Sequence, residues 1–275
     1  MTAVLPRSES VTVDELTAMG LRVGGGDLPT VLDARLRYRT VTARDAAVDR
    51  ATRELVSRNL IVDGVVDPEF AAMLHALQRP DREFAVRLVT PDGTARISVV
   101  SRGSLGVLAR RIGDDIGVRT LGDGTDSSSV ASALLAELPQ ARPAELTAVG
   151  APMPEMAERL SGTHDPRDLA DRIRALGAEP QAAMTLGSAL GSRQAFAEIV
   201  YYALAAEEGR IARGPGAIAI FYTKRGRVLA APSMSPAGQL WTTLKSGTDH
   251  AFGQAIGQLA ELGDCRWGTP TRLSD

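Results

Sequence analysis

Cysteine and histidine are scarce in this 275-residue sequence, and their scarcity argues against two classes of protein. Cys265 is the one cysteine, so the chain can form neither an internal disulfide nor a paired-cysteine metal site. The three histidines lie far apart, which argues against a zinc site built from cysteine and histidine. We therefore expect a protein without a metal ion.

The sequence also lacks an excess of positive or negative charge. Lys and Arg number 31 and Asp and Glu 33, which gives a net charge of -2 at pH 7. A protein that binds nucleic acid by neutralising phosphates usually has a basic excess. Nucleic acid is therefore not an expected partner.

Long apolar runs are missing as well. The sequence has no run of about 18 uncharged apolar residues, so we expect no membrane-spanning helix. Residues 1–16 include Arg7, Glu9 and Asp14 and no apolar run, which is unlike a signal peptide. A cytoplasmic location is the resulting expectation.

Sequence motifs for catalysis and nucleotide binding are absent. There is no G-x-S-x-G nucleophile elbow, no P-loop and no dinucleotide-binding glycine fingerprint. We therefore predict neither a catalytic residue nor a cofactor. One alternative stays open, an α+β enzyme of unknown chemistry that uses Glu198, within an apolar run, or His250, at a helix start.

The composition is that of a folded protein with an aliphatic core, and helices and strands follow one another in a regular order. Apolar residues make up 44% of the chain and aromatic residues 4%, so Val, Leu, Ile and Ala must form most of the core. Apolar periodicity predicts helices over residues 42–60, 67–79, 127–138, 156–160, 165–177, 179–191 and 249–262. Alternating apolar residues and hairpin signals predict strands over residues 84–90, 94–101, 105–112, 116–121, 193–204, 217–223, 227–231 and 239–243.

Two halves of the sequence follow the same plan, and short motifs recur in the same order. The recurring motifs include Arg102-Gly103 with Arg225-Gly226 and Gly124-Thr125-Asp126 with Gly247-Thr248-Asp249. We predict pseudo-repeat halves over residues 1–139 and 140–275, whose strand meanders join edge to edge in one antiparallel sheet. Chance similarity between two α+β segments is the alternative.

An ordered set of motifs runs through the chain. In the C-terminal third it comprises Arg193, Ala197-Glu198-Ile199-Val200, Arg225-Gly226-Arg227-Val228-Leu229, Pro232, Gly238-Gln239-Leu240-Trp241 and Gly247-Thr248. In the N-terminal half it comprises Val11-Thr12-Val13-Asp14-Glu15-Leu16, Asp63-Gly64, Asp67-Pro68 and Arg79-Pro80-Asp81-Arg82. In this order the motifs resemble the EspG family of actinobacterial ESX type VII secretion, over nearly the whole chain and least closely from residue 122 to 152.

The resemblance implies a cytosolic chaperone rather than an enzyme. EspG proteins bind the PPE subunit of PE–PPE heterodimers at the apolar tip of its helical hairpin, keep the pair soluble and direct it to a secretion system. The resemblance also implies a single α+β domain over residues 1–275, with a central antiparallel sheet and two helical bundles related by a pseudo-twofold. We expect a monomer or weak homo-oligomer, and a structural or regulatory dimer is a further alternative.

An apolar helical tip requires an apolar groove with a polar rim, and two predicted elements could supply it. Strand alternation places Phe196, Val200 and Tyr202 on one face of the strand over 193–204, and Ile199 and Tyr201 on the other. The preceding helix offers Met184, Leu186 and Leu190, and Arg102, in a predicted loop, could be a rim contact. The alternative is that most of these side chains belong to the core.

Overall fold

The structure is a computed structural model that describes residues 8–124, 126–205, 210–263 and 267. Cys265 lies outside the described residues. The strands are β1 (Ser8–Thr12), β2 (Ile61–Val62), β3 (Val65–Val66), β4 (Arg82–Thr90), β5 (Gly93–Arg102), β6 (Leu105–Ile112), β7 (Asp115–Asp123), β8 (Val149–Pro152), β9 (Arg193–Ala205), β10 (Arg210–Thr223), β11 (Gly226–Met234) and β12 (Leu240–Ser246). The α-helices are α1 (Val13–Arg22), α2 (Val41–Ser57), α3 (Pro68–Gln78), α4 (Ser127–Ala136), α5 (Met153–Leu160), α6 (Pro166–Ala175), α7 (Pro180–Gly191) and α8 (Asp249–Glu261), and one 3-10 helix covers Thr30–Leu32.

Side-chain caps fix where several helices begin. Asp67 accepts a hydrogen bond from the backbone N–H of Phe70 at the start of α3. Asp165 and Glu179 cap α6 and α7 in the same way, and Pro occupies the first position of all three helices. The predicted starts of these helices are confirmed. The acidic cap accepts a hydrogen bond from one of the free backbone N–H groups of the first turn, and proline lacks a backbone N–H that would otherwise be unpaired.

The first two helices differ from the sequence-based expectation. Helix α2 begins at Val41, one residue before the predicted start, and the hydroxyl of Thr40 caps it by accepting from the N–H of Ala43. The sequence also contains a reciprocal capping box that opens α1, in which Thr12 and Glu15 bond each other's backbone N–H groups. The capping box was not recognised from the sequence, and α1 was therefore not predicted.

Ten strands form one antiparallel sheet in the order β1-β7-β6-β5-β4-β9-β10-β11-β12-β8. The first half of the chain supplies β1 and β4–β7, the second half supplies β8–β12, and the halves join where β4 pairs with β9. The prediction that both meanders belong to one sheet is confirmed. The equivalence of the two halves under a twofold rotation stays a prediction, which superposition of their Cα atoms tests.

Helices cover the two faces of the sheet differently. On one face α4 and α8 pack over the middle of the sheet, in a core that includes Phe84, Ile199, Leu134 and Phe252. On the other face α1–α3 pack over the β5–β7 end, and α5–α7 pack over the β10–β12 end, as two separate cores. These are the two helical bundles that the resemblance implies.

Between the two bundles lies a stretch of sheet that we call the central strip. It comprises Glu83, Ala85, Arg87 and Val89 of β4 and Phe196, Glu198, Val200 and Tyr202 of β9, which share one face. The four β9 residues are all partly exposed, whereas the alternate β9 residues 197, 199, 201 and 203 are buried in the core beneath α4 and α8. The fold therefore leaves part of a sheet face open between two walls of helices.

Candidate partner-binding surface

The central strip is built from residue pairs that lie directly opposite each other on β4 and β9. From one end to the other, the pairs are Glu83 with Tyr202, Ala85 with Val200, Arg87 with Glu198 and Val89 with Phe196. Directly opposed side chains in an antiparallel pair are close neighbours, so each pair acts as one patch. The strip consequently has an apolar patch at one end, a charged patch, an aliphatic patch and a polar end.

The predicted shared face of Phe196, Val200 and Tyr202 is confirmed. All three are half-buried on the strip, while Ile199 and Tyr201 are fully buried on the opposite face. Whether the three bind a partner stays a prediction. Their partial exposure is what a docking surface requires, because side chains with 0% exposure, such as Ile199 and Tyr201, cannot be reached.

The apolar end of the strip is an aromatic corner beside the C-terminal bundle. The rings of Phe196 and Phe221 are 5.4 Å apart, and the guanidinium of Arg193 lies 5.9 Å from the centre of the Phe221 ring. Arg193 Nη2 also lies 3.1 Å from Nδ1 of His164, in the loop between α5 and α6. An open cavity of about 530 Å³ has Val89 and Phe196 in its walls.

An arginine side chain from β10 lies beside the middle of the strip. Arg213 of β10 starts opposite Tyr202, and its Nη2 lies 3.7 Å from a carboxylate oxygen of Glu198. Because Tyr202 and Glu198 flank Val200 on the same face, the Arg213 side chain extends beside Val200. Both partners are about half-exposed, and such ion pairs contribute only about 0–1 kcal/mol, so a docking partner can displace Arg213 at little cost.

The polar end of the strip contains a buried carboxyl group that sequence reasoning did not single out. Glu83 is 6% exposed, and the Ser98 hydroxyl donates a hydrogen bond of 2.7 Å to its Oε1. Burial raises the pKa of Glu83 to about 7, because the charged form loses its hydration, and the Ser98 hydrogen bond opposes this rise. Glu83 precedes the predicted strand over residues 84–90, and nothing in the sequence distinguishes it from an ordinary exposed glutamate.

Helix α7 places its three candidate residues in two environments. Met184 is 62% exposed, whereas Leu186 and Leu190 are enclosed in the core between α5–α7 and the sheet. With the helix as it stands, only Met184 is available to a partner. The two leucines instead fix the position of the helix through packing.

Arg102 lies in a different place from the predicted loop. It is the last residue of β5, and its Nη1 donates a hydrogen bond of 3.0 Å to the carbonyl oxygen of His75 in α3. It shares the strip face with Val100, which lies opposite Glu83. Arg102 is therefore on the N-terminal-bundle side of the strip and α7 is on the other side.

The two residues considered for catalysis do not meet. Glu198 stands on the strip, while His250 is exposed in the first turn of α8, which packs on the opposite face of the sheet. Within the described ranges, no group of three or more His, Cys, Asp and Glu side chains is placed to hold a metal ion. The same part of the chain has no helix long and apolar enough to cross a membrane.

Comparison with known proteins identifies the family to which this chain belongs. A model of the EspG family matches residues 12–258, so the chain belongs to the EspG family. A relative, the ESX-3 secretion-associated protein EspG3 of Mycobacterium tuberculosis (strain CDC 1551 / Oshkosh), is 30% identical over 98% of this chain and 96% of its own length. The protein of the same name from Mycolicibacterium smegmatis is 24% identical over 95% of this chain and 89% of its own length.

A solved structure has the same fold. It is the Mycobacterium tuberculosis type VII secretion system chaperone EspG5 in complex with a PE25-PPE41 dimer, and the TM-score is 0.82. The match covers 96% of this chain and 100% of the other at 19% sequence identity, which establishes the likeness of the fold. The family predicted from the ordered motifs is confirmed.

Proposed function

We propose that this protein is a cytoplasmic secretion chaperone that binds the PPE subunit of PE–PPE heterodimers and is not an enzyme. It keeps the heterodimer soluble and directs it to an ESX type VII secretion system. The observation that carries the proposal is the central strip, a partly exposed sheet face with apolar patches between two helical bundles in a chain of the EspG family.

The relatives support the same function. Two are described as ESX-3 secretion-associated proteins, and the structural neighbour is a chaperone that was solved with a PE–PPE dimer bound. A soluble chaperone in the cytoplasm meets its client before export.

The strip suits the apolar tip of a helical hairpin. Val89 and Phe196 offer an apolar end with an open cavity, and Val200, opposite the buried Ala85, offers a second apolar contact. Tyr202 adds apolar ring area and a hydroxyl that can bond to backbone groups of the tip. Met184, on the C-terminal-bundle side, adds a flexible side chain that adapts to related clients.

Co-purification tests the proposal directly. The chain is co-expressed with a panel of PE–PPE heterodimers, and we expect at least one pair to elute with it in a complex containing one copy of the chain. The free chain is expected to be a monomer or a weak homo-oligomer by light scattering. A stable homodimer that ignores every PE–PPE pair overturns the proposal and favours a structural or regulatory dimer.

Matched charge substitutions locate the surface. Met184→Asp and Leu21→Asp each place a carboxylate at an exposed apolar helical position, since these side chains are 62% and 66% exposed. Met184 lies on α7 in the C-terminal bundle, whereas Leu21 lies on α1 in the N-terminal bundle. We expect Met184→Asp to weaken binding of the heterodimer at least tenfold, roughly the effect of losing one good interface contact, and Leu21→Asp to leave it unchanged.

A further inference from the structure

Glu83 is a carboxyl group enclosed on the face of the strip where we place the partner. Its neighbours there are Tyr202, directly opposite on β9, and Val100, directly opposite on β5. Ser98 donates to Oε1, and no described residue forms a hydrogen bond with Oε2. One oxygen is thus held in place by the sheet, while the other is unpaired.

Charged groups surround Glu83 at a distance but do not pair with it. No described cation lies within ion-pair distance of its carboxyl group. The charged and titratable side chains on the same face of the neighbouring strands are Arg87, Arg96, Arg102, Glu198, Tyr202 and Arg213, and the adjoining α3 carries Glu69 and His75. Among these, Arg213 pairs with Glu198, Arg96 with Asp33, and Arg102 with a backbone carbonyl.

We propose that Glu83 determines specificity in the docked complex: in its neutral form it donates a hydrogen bond from Oε2 to a carbonyl oxygen of the partner's apolar tip. This inference rests on the proposed function and names one polar contact of the same site. Ser98 fixes the protonation pattern, because an Oε1 that accepts from Ser98 is the carbonyl oxygen, which leaves the proton on Oε2.

The chemistry selects a backbone carbonyl as the matching group. The end of a helix leaves up to four C=O groups without an intrahelical partner, and a hairpin tip exposes such groups beside apolar side chains. A neutral carbonyl is preferred to a carboxylate on the partner, since two carboxylates in contact repel when both are ionised. Docking excludes water from the strip, so an unpaired Oε2 or an unpaired carbonyl there costs more than in the free proteins.

Because the neutral form of Glu83 binds the partner, the affinity depends on pH. With a pKa of about 7 in the free chain, the neutral fraction of Glu83 falls about tenfold between pH 6 and pH 8. If only the neutral form docks, the Kd rises by the same factor. The affinity is therefore highest on the acidic side of neutrality and declines as the pH rises.

The test is the Kd of the co-purifying PE–PPE heterodimer at pH 6 and pH 8, measured by calorimetry for the wild type and three variants. We expect the wild-type Kd to rise about tenfold and the Glu83→Gln Kd to change less than about twofold, since the amide does not titrate. Glu198→Gln, on the same strip, should retain the tenfold rise. Glu83→Leu should weaken binding about tenfold or more at pH 6, because it leaves the partner carbonyl unpaired.

Several outcomes overturn the inference. A wild-type Kd that is the same at both pH values does so, and so does a Glu83→Gln variant that keeps the wild-type rise. In the free chain, a ¹³C-detected titration of the Glu83 carboxyl with a midpoint near 4 overturns it without a partner and leaves the proposed function standing. Failure of every PE–PPE pair to bind at either pH overturns the proposed function and the inference together.

Discussion

The side chains predicted to bind the partner fall into those that a partner can reach and those that only support the surface. Phe196, Val200 and Tyr202 are half-buried and can lose further surface on docking. Leu186 and Leu190 are already enclosed and can contribute only through the position of α7. Truncation should separate these two groups, because a reachable side chain affects affinity and an enclosed one affects folding stability.

Tyr202→Ala is expected to weaken heterodimer binding by about 2 kcal/mol or more while the fold persists, because a central aromatic contact is lost. The matched control is Tyr38→Ala, which removes a surface tyrosine that bonds Asp14 in the N-terminal bundle. Calorimetry gives the affinities and thermal unfolding gives the stabilities. Full affinity in Tyr202→Ala shows that the partner docks elsewhere, although the chaperone function survives that result.

Glu83 also predicts how stability changes with pH. Its pKa is raised from 4.5 to about 7, so in this interval the folded chain binds a proton that the unfolded chain has released. The free energy of unfolding therefore falls as the pH rises from about 4.5 to 7, by about 3 kcal/mol, and then levels off. In Glu83→Gln this contribution disappears, so relative to the wild type the variant gains stability from pH 5 to pH 8.

Urea unfolding at several pH values measures this difference. Glu198→Gln, which is half-exposed on the same face, should follow the wild-type curve. A Glu83→Gln curve parallel to the wild type contradicts the raised pKa.

The candidate site was partly predictable from residues alone. Period-two alternation placed Phe196, Val200 and Tyr202 together, because adjacent strand positions must point to opposite faces. The same rule could not show that this face stays open, since that depends on where two helical bundles end. Burial of Glu83 depends in the same way on neighbours from β5 and β9 that are distant in sequence.

Helices α6 and α7 pack against each other at Gly187 of α7. A Cβ at Gly187 would lie 2.7 Å from the backbone nitrogen of Ala170 and 2.7 Å from the carbonyl oxygen of Pro166. No side-chain movement relieves such contacts, because both atoms belong to the backbone. The glycine therefore sets the distance between the two helices beside the strip.

Gly187→Ala is expected to lower the free energy of unfolding by about 1–3 kcal/mol, the usual cost of overpacking. Gly257→Ala in α8 is the matched control, since a Cβ there meets nothing within 4 Å. It should raise stability by up to about 1 kcal/mol through helix propensity. Equal effects of the two substitutions in denaturant unfolding contradict the close approach of α6 and α7.

The helices and strands that were predicted correctly are those marked by local sequence signals. Both meanders and the proline-opened helices were predicted, because turns and caps act over a few residues. β1 and β8 were missed: each is at most five residues long, and each becomes a strand by pairing with β7 or β12. β8 contains Gly150 and Pro152, which are poor strand formers without that partner.

At the scale of the whole molecule, the two halves depend on each other. Each half alone would expose β4 or β9 as an unpaired edge, together with part of the core beneath α4 and α8. We expect residues 1–139 and residues 140–275 to be insoluble when expressed singly and to form a one-to-one complex when co-expressed. Size-exclusion chromatography with light scattering checks this, and two soluble, non-associating halves contradict a single domain over residues 1–275.

The pairing of β4 with β9 also sets the order in which the molecule can fold. Hairpins within each meander close short loops, whereas β4 and β9 bring together residues more than 100 positions apart, which is a slow step. The strip does not exist until that late step is complete. A chain that is still folding therefore presents no docking face. Only the completely folded chaperone can bind a client.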